Sequence, residues 1–287
     1  MKNHWILLVL FIASPAAFGQ VLKCSPSMEY GNNEAHGKFA QVNGIEMYYE
    51  TYGDPSKQPI LLIHGNGGSV KAGTCQIEFF KEDYFVVVAD SRYQGKSGKG
   101  DQALSYDLMA SDYNELLNHL KLDSVFVIGQ SDGGIIGLLL AINYPSKVKK
   151  VMAAAPNLRP DSTALYDWNI ADMKADMEKI NSQIQAGNPS QETLQRKALT
   201  ELMLNHPNIT HEELQKIQAP VLLVFGDSDY MPMEHIQEIY EHIPQANLLI
   251  VPAAGHRAYR LEPEIFNSFA QRFFENPFQS PKAKDGF

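Results

Sequence analysis

A serine between glycines lies in the middle of the chain, at the junction of two apolar runs. Ser131 is the third residue of Gly129-Gln130-Ser131-Asp132-Gly133, which follows Val125-Phe126-Val127-Ile128 and precedes an apolar run that begins at Ile135. A Gly-x-Ser-x-Gly turn between a buried strand and a helix is typical of a nucleophile elbow, which exposes the serine hydroxyl. The flanking glycines relieve crowding, because so tight a turn leaves no room for side chains. The sequence therefore predicts that Ser131 is a nucleophile.

A serine hydroxyl reacts poorly at neutral pH, so it needs a general base, and the base needs an orienting carboxylate. Two later segments offer these groups. Asp229 follows the apolar run 221–225, and His256 follows the predicted strand 247–251. In a parallel sheet, all three side chains would project from the carboxyl ends of strands. We assign Ser131 as the nucleophile, His256 as the general base and acid, and Asp229 as the orienting carboxylate.

A second candidate for the orienting carboxylate lies two residues earlier in the chain. Asp227 also follows the strand, but the Gly-x-x-Asp spacing from Gly226 carries Asp229 farther into the loop. We expect Asp227 to satisfy backbone groups of the turn instead. Of the nine histidines, His256 alone lies on a loop that follows a strand downstream of the acid.

The segment His64-Gly65-Asn66-Gly67-Gly68 follows another apolar strand, 59–63. A loop in this position can supply backbone N–H groups to the oxyanion of a tetrahedral intermediate. We expect the N–H groups of Asn66 and Asp132 to form this oxyanion hole, and the His64 side chain to brace the loop. The sequence Asp90-Ser91-Arg92 is open to interpretation as a structural ion pair at the end of a strand, and we assign it no catalytic part.

The elements that must position these residues alternate between strands and helices. An Asn43-Gly44 hairpin opens the series, and short apolar strands then alternate with amphipathic helices as far as residue 155. Residues 157–218 contain helical patterns only, and strands resume at Val221. The pattern predicts an α/β fold with a mostly parallel sheet, helices on both faces, an antiparallel edge hairpin and a helical cap insertion.

Together these residues resemble the α/β-hydrolase superfamily, in which the order serine, acid, histidine along the chain is expected. The resemblance spans the chain from Phe39 to Phe274, and its landmarks are His64-Gly65, the elbow, Gly226-x-x-Asp229 and Gly255-His256. The resemblance implies a cofactor-free and metal-free serine hydrolase with an α/β-hydrolase fold. It would cleave a small carboxylic ester or a related acyl bond through an acyl-serine intermediate.

The elbow sequence Ser131-Asp132-Gly133-Gly134 is similar to that of the biphenyl hydrolase-like (valacyclovir hydrolase) group. That resemblance implies an alternative, an amino-acid-ester or peptide hydrolase in which Asp132 binds the substrate ammonium. If Asp132 does not bind an ammonium, its side chain turns into a local hydrogen-bond network, and only its backbone N–H takes part at the site. A lactonase and a carbon–carbon bond hydrolase also stay open. From a different class, we consider a non-catalytic ligand-binding protein on a hydrolase scaffold, since fold does not fix function.

The N-terminus has the pattern of an export signal. Lys2 precedes an apolar run, and the small residues Ala16-Ala17 suit a signal peptidase. We predict a signal peptide (1–19), an N-terminal arm (20–37), a hydrolase core in two parts (38–156 and 219–276) around the helical cap (157–218), and a flexible tail (277–287). The expected location is secreted or periplasmic, without stable membrane insertion after cleavage. There Cys24 and Cys75 could form a disulfide or remain separate thiols.

The chain has 287 residues and a formal net charge of −9, with 44% hydrophobic residues. A negative charge of this size argues against nucleic acid as a partner. A chain of this length can bury one large hydrophobic core, which suits a single domain with an insertion. We therefore expect a monomer whose partner is a small-molecule acyl substrate.

Overall fold

The computed structural model describes residues 24–280, which form an eight-stranded sheet covered by nine α-helices within that range. The strands are β1 (Gly37–Val42), β2 (Ile45–Tyr52), β3 (Pro59–Ile63), β4 (Phe85–Ala89), β5 (Val125–Gln130), β6 (Val148–Ala154), β7 (Val221–Ser228) and β8 (Ala246–Gly255). The helices are α1 (Thr74–Phe80), α2 (Tyr106–His119), α3 (Asp132–Asn143), α4 (Asp167–Gln185), α5 (Gln191–Asn205), α6 (His211–Leu214), α7 (Met233–His242), α8 (Ala258–Leu261) and α9 (Pro263–Glu275). The predicted signal peptide lies outside the described residues.

The strand order across the sheet is β1-β2-β4-β3-β5-β6-β7-β8. The β1–β2 hairpin joins β4 in antiparallel fashion, and all later neighbours pair in parallel. This arrangement confirms the predicted fold class, including the antiparallel edge. It also brings the carboxyl ends of β5, β7 and β8 to the same edge of the sheet, where ligands bind in open α/β sheets.

Apolar side chains cover both faces of the sheet. Leu61 and Ile63 of β3 belong to one buried cluster, together with residues of α2, α3 and α7. Ile60 and Leu62 point the opposite way, into a second cluster with α1 and α9. Because side chains alternate along a strand, a wholly apolar strand is stable only when both its faces are covered. The short apolar runs in the sequence therefore predict this layered packing correctly.

Three helices, α4, α5 and α6, fill the interval between β6 and β7, where the sequence shows helical patterns only. The chain turns between α4 and α5 at Gly187, whose φ of 95° suits glycine. A capping box begins α6: the Thr210 hydroxyl accepts from the Glu213 N–H, and the Glu213 carboxylate accepts from the Thr210 N–H. These helices form the insertion that was predicted as a cap.

From Cys24 onward, the N-terminal arm is fixed to the sheet and to α1. Cys24 and Cys75 form a disulfide, one of the two alternatives that the sequence left open. The buried Glu50 carboxylate of β2 accepts from the backbone N–H groups of Gly31 and Asn33. A buried carboxylate that accepts backbone hydrogen bonds is satisfied without a counter-ion. These contacts give the arm a defined path across the first strands.

Two predicted features differ in the structure. The strands β7 and β8 continue to Ser228 and Gly255, beyond the apolar segments 221–225 and 247–251, because their backbones still pair outside the core. Arg92 does not pair with Asp90; its guanidinium makes a fully buried bidentate contact with Asp112 of α2. Within residues 24–280, no helix has the length and apolarity needed to cross a membrane.

Candidate active site

Ser131 lies between β5 and α3 in a conformation that side chains rarely adopt. Its φ is 55° and its ψ is −119°, and its N–H donates to the Ala154 carbonyl at 2.8 Å. A Cβ at Gly129 would come within 1.9 Å of the Gly133 carbonyl oxygen, and a Cβ at Gly133 within 2.1 Å of the Ile63 oxygen. The two glycines therefore permit the turn, as the sequence predicts. A strained residue held by its surroundings is a common feature of functional sites.

His256 connects Ser131 to Asp229. Its Nε2 lies 2.9 Å from the Ser131 Oγ, and its Nδ1 lies 2.8 Å from the Asp229 Oδ1. Because a carboxylate only accepts hydrogen bonds, Nδ1 carries the proton and Nε2 is left to accept from the serine hydroxyl. Asp229 is only 6% exposed and also accepts from the Tyr230 N–H at 2.7 Å. The structure thus brings together the three residues that the sequence placed on separate loops.

Asp227, the rival acid, does not contact His256. Its carboxylate accepts from the Ala253 N–H at 2.9 Å and from the Ser228 hydroxyl. Asp227 is exposed, whereas Asp229 is buried. The Asp227 side chain therefore accepts a backbone hydrogen bond where β7 and β8 extend beyond the core. This agrees with the expectation that Asp227 satisfies backbone groups near the turn.

The loop of residues 64–68, which is predicted to supply an oxyanion donor and is called the oxyanion loop below, passes directly beside the elbow. A Cβ at Gly65 would lie 3.1 Å from the Ser131 Cβ. The His64 Nε2 accepts from the Ser91 N–H at 2.9 Å, so its Nδ1–H donates to the Gly65 carbonyl at 2.7 Å. Burial lowers the pKa of His64 and keeps the ring neutral. His64 therefore braces the loop, as predicted, and does not reach the serine.

Asp132 turns its carboxylate into a local network. It is 4% exposed, its Oδ2 accepts from the Asn66 side-chain amide at 2.9 Å, and the Tyr106 hydroxyl also hydrogen-bonds to it. Burial raises the pKa of Asp132 from 3.8 to about 6, although the contacts with Asn66, Tyr106 and the nearby His256 oppose that rise. The side chain adopts the second of the two orientations that the sequence allowed.

A cavity of about 230 Å³ opens in front of Ser131 and His256. Side chains of α4 and α5, Met173 and Met203, form part of its wall, so the inserted helices contribute to the pocket. The other residues around it are Tyr106, Asp132, Asn157, Leu165, Asn169, His206, Tyr230 and Met231. Asp132 is the sole carboxylate in this lining, which includes no lysine or arginine.

Two aromatic residues near the pocket were missed by the sequence reasoning. The Tyr230 ring stacks on His256, with centroids 4.4 Å apart and an angle of 14° between the planes. Trp168, at the start of α4, packs edge-on against Tyr230 at 5.4 Å. Only the position of Tyr230 directly after the predicted acid pointed to the site. The stack limits rotation of the His256 ring, which helps to hold its two hydrogen bonds.

Burial of the Asp132 carboxyl should make the stability of the fold depend on pH. Because its pKa is higher in the folded protein than in the unfolded chain, its stabilising contribution is complete below about pH 4 and is lost as the pH rises through about 6. Asp132→Asn removes this charge, and we expect it to stabilise the fold by about 3 kcal/mol at pH 8. Thermal melts from pH 4 to pH 8 should show a gain in Tm that shrinks toward pH 4. An effect that does not change with pH would contradict this interpretation.

Comparisons with known proteins agree with this architecture. Residues 58–210 match the model of the alpha/beta hydrolase fold family. The human protein "Serine hydrolase BPHL" is 27% identical over 269 residues, covering 89% of this chain and 91% of its own length. The "3-oxoadipate enol-lactonase 2" of Acinetobacter baylyi is 25% identical over 251 residues, covering 78% of this chain and 91% of its own length.

A solved structure gives the same result for the fold. MGS-M2, an alpha/beta hydrolase enzyme from a Medee basin deep-sea metagenome library, superposes with a TM-score of 0.70 at 19% identity, covering 85% of this chain and all of that one. The family match extends over more than half of the chain and includes the elbow. The similarity to BPHL also supports the resemblance of the elbow to the biphenyl hydrolase-like group. From its sequence, its fold and these matches, the chain belongs to the α/β-hydrolase family.

Proposed function

We propose that the protein is a serine hydrolase that cleaves a small carboxylic ester, or a related acyl bond, through an acyl-Ser131 intermediate. The observation that carries the proposal is the position of His256, within hydrogen-bond distance of both the Ser131 hydroxyl and the Asp229 carboxylate. A neutral imidazole in this tautomer can accept a proton from the serine while the carboxylate stabilises the resulting cation. A protein that only binds ligands has no need of this arrangement.

The proposed reaction has two stages. The Ser131 Oγ attacks the acyl carbonyl carbon as His256 Nε2 takes the hydroxyl proton, and the N–H groups of Asn66 and Asp132 stabilise the oxyanion. His256 then gives this proton to the leaving alcohol, and the ester bond breaks to leave acyl-Ser131. In the second stage His256 takes a proton from water, the hydroxide adds to the acyl carbon, and His256 returns the proton to the Ser131 oxygen as the acid leaves.

The cavity supports a small, uncharged acyl substrate. Its volume of about 230 Å³ lies below the range that holds drug-sized ligands. Met173, Met203 and Leu165 provide apolar surface, whereas Asn157 and Asn169 provide amides that can orient a polar group. The lactonase in the name of one relative keeps cyclic esters within this substrate class.

A second candidate is the hydrolysis of amino-acid esters or peptides, with Asp132 binding the substrate ammonium. It is supported by a carboxylate that adjoins Ser131 and lines the pocket, and by the similarity to BPHL. The bonds that Asp132 already makes with Asn66 and Tyr106 favour the neutral substrate. The two candidates share one mechanism and differ only in what binds beside the serine.

Location outside the cytosol is also a proposal. Residues 1–23 lie outside the described part of the chain, so its support comes from the leader sequence and from the Cys24–Cys75 disulfide. Structural disulfides persist in oxidising compartments and are rare in the cytosol. Two further expectations stay predictions: the absence of a nucleic-acid partner, which rests on the net charge, and a monomeric state, which rests on the length of the chain.

The proposal is tested by exposing the purified protein to a fluorophosphonate probe at neutral pH. We expect one adduct per chain by intact mass, and peptide mapping should locate it on Ser131. Fluorophosphonates react with serines that are activated by a base, and other serines stay unlabelled. A folded sample that takes up no probe would overturn the hydrolase mechanism and favour a ligand-binding role.

A further inference from the structure

One side-chain hydrogen bond ties the oxyanion loop to the elbow. The Asn66 Nδ2 donates to the Asp132 Oδ2 at 2.9 Å, across 66 positions of sequence. We propose that Asp132 is a positioning residue: through the Asn66 side chain it fixes the oxyanion loop against Ser131, so that the Asn66 backbone N–H is held where the oxyanion forms. This inference rests on the proposed function and assigns Asp132 a task that does not depend on a substrate ammonium.

The rest of the loop is held from other directions. The Gly67 N–H donates to the Gln94 side chain at 2.6 Å, and His64 and Gly68 both hydrogen-bond to the Gly65 carbonyl. These bonds define the shape of the loop and attach it to the segment after β4. The Asn66 side chain adds a hydrogen bond from the loop to the elbow itself, through the Asp132 carboxylate.

The Asp132 carboxylate is a firm anchor point. Asp132 is the first residue of α3, so its backbone is fixed by the helix, and its side chain is almost completely buried. The Tyr106 hydroxyl, from the start of α2, hydrogen-bonds to the same carboxylate. The second amide hydrogen of Asn66 faces the Leu199 carbonyl of α5 at 3.5 Å. The Asn66 side chain thus lies between the elbow and the inserted helices.

Position matters because an oxyanion hole works by preorganisation. Removal of one donor typically costs about 10²- to 10³-fold in kcat, and a 1 Å misplacement of a catalytic group can cost about 10²-fold. In Asn66→Ala the backbone N–H is still present, and only its anchor is lost. A fall in kcat in this variant therefore reports on position and not on the chemistry of the donor.

The experiment is a double-mutant cycle with Asn66→Ala, Asp132→Ala and the combined variant. Three rates are measured: the hydrolysis of a short neutral acyl ester, the hydrolysis of the matching amino-acid ester, and the labelling of Ser131 by the fluorophosphonate probe. We expect each single variant to lower kcat by about 10- to 100-fold, since a misplaced donor costs up to about 10²-fold, with little change in KM. The combined variant should be no slower than the slower single one, because both changes break the same link.

Conservative changes sharpen the test. Asp132→Asn keeps an oxygen that can accept from Asn66, so it should recover most of the loss seen with Asp132→Ala. Asn66→Leu keeps a similar side-chain volume but has no donor, so its kcat should fall about as far as that of Asn66→Ala. This variant keeps the test available if Asp132→Ala does not fold. Asn118→Ala removes an exposed amide of α2 and serves as the matched control. Thermal unfolding of every variant separates misfolding from misplacement.

Four results would overturn the inference. Losses that multiply in the combined variant would mean that the two side chains act independently. A rise in KM confined to amino-acid esters would mean that Asp132 binds the substrate ammonium. A wild-type protein that takes up no probe would remove the proposed function and this inference with it, whereas a labelled wild type with unchanged variants removes only the inference.

Discussion

Ser131→Ala is expected to lower kcat for acyl esters by about 10⁴- to 10⁶-fold, because removal of the nucleophile leaves only binding and oxyanion stabilisation. The change deletes a single oxygen, whose contact is with the His256 Nε2 at 2.9 Å. Alanine can keep the backbone conformation and the hydrogen bond from residue 131 to Ala154. Steady-state kinetics with a short acyl ester would measure the loss, and unchanged circular dichroism would show that the fold persists.

The control for this variant is a serine of the inserted helices. Ser182 is exposed on α4 and donates to the Glu178 carbonyl, so Ser182→Ala removes the same atom far from the base. We expect this variant to keep both turnover and probe labelling. If Ser131→Ala kept a substantial part of wild-type turnover, the acyl-serine mechanism would be wrong, and a water activated directly by His256 would take its place.

Local patterns were sufficient to predict the fold and the three side chains that the structure brings together at the elbow. The glycines around Ser131 mark a turn that only small residues allow, and the apolar run before it marks a buried strand. Asp229 and His256 follow strands of the same kind, and parallel strands end at a common edge. The strand order itself is less accessible from sequence, since β4 lies between β2 and β3 through pairings that no local pattern specifies.

Contacts between distant segments could not be predicted in the same way. The partner of Arg92 is Asp112, on the following helix, although Asp90 is two residues away in sequence. The stacking of Tyr230 on His256 and the bond from Asn66 to Asp132 depend on how the loops approach one another after the sheet has formed. The sequence could only list both orientations of Asp132, because hydrogen-bond partners of a buried side chain are set by tertiary packing.

Asp229→Asn is expected to lower kcat by about 10⁴-fold at neutral pH, because it reverses the tautomer of His256. The carboxylate accepts from Nδ1–H, whereas the asparagine amide would donate to Nδ1 and place the ring proton on Nε2. A protonated Nε2 cannot take the proton of Ser131. Turnover and probe labelling should fall together, since both require an activated serine.

The matched control for this variant lies two residues away. Asp227→Asn makes the same chemical change on an exposed side chain, and the asparagine oxygen can still accept from the Ala253 N–H. A surface substitution of this kind changes the free energy of unfolding by only about 0.5 kcal/mol, so the fold should persist. Because the Asp227 side chain bonds to Ala253 and Ser228 and not to His256, kcat should stay close to the wild-type value. The reverse result, a large loss at 227 and a small one at 229, would make Asp227 the orienting acid. Small losses at both positions would instead mean that His256 works without a carboxylate partner, and its hydrogen bond to Asp229 would be structural only.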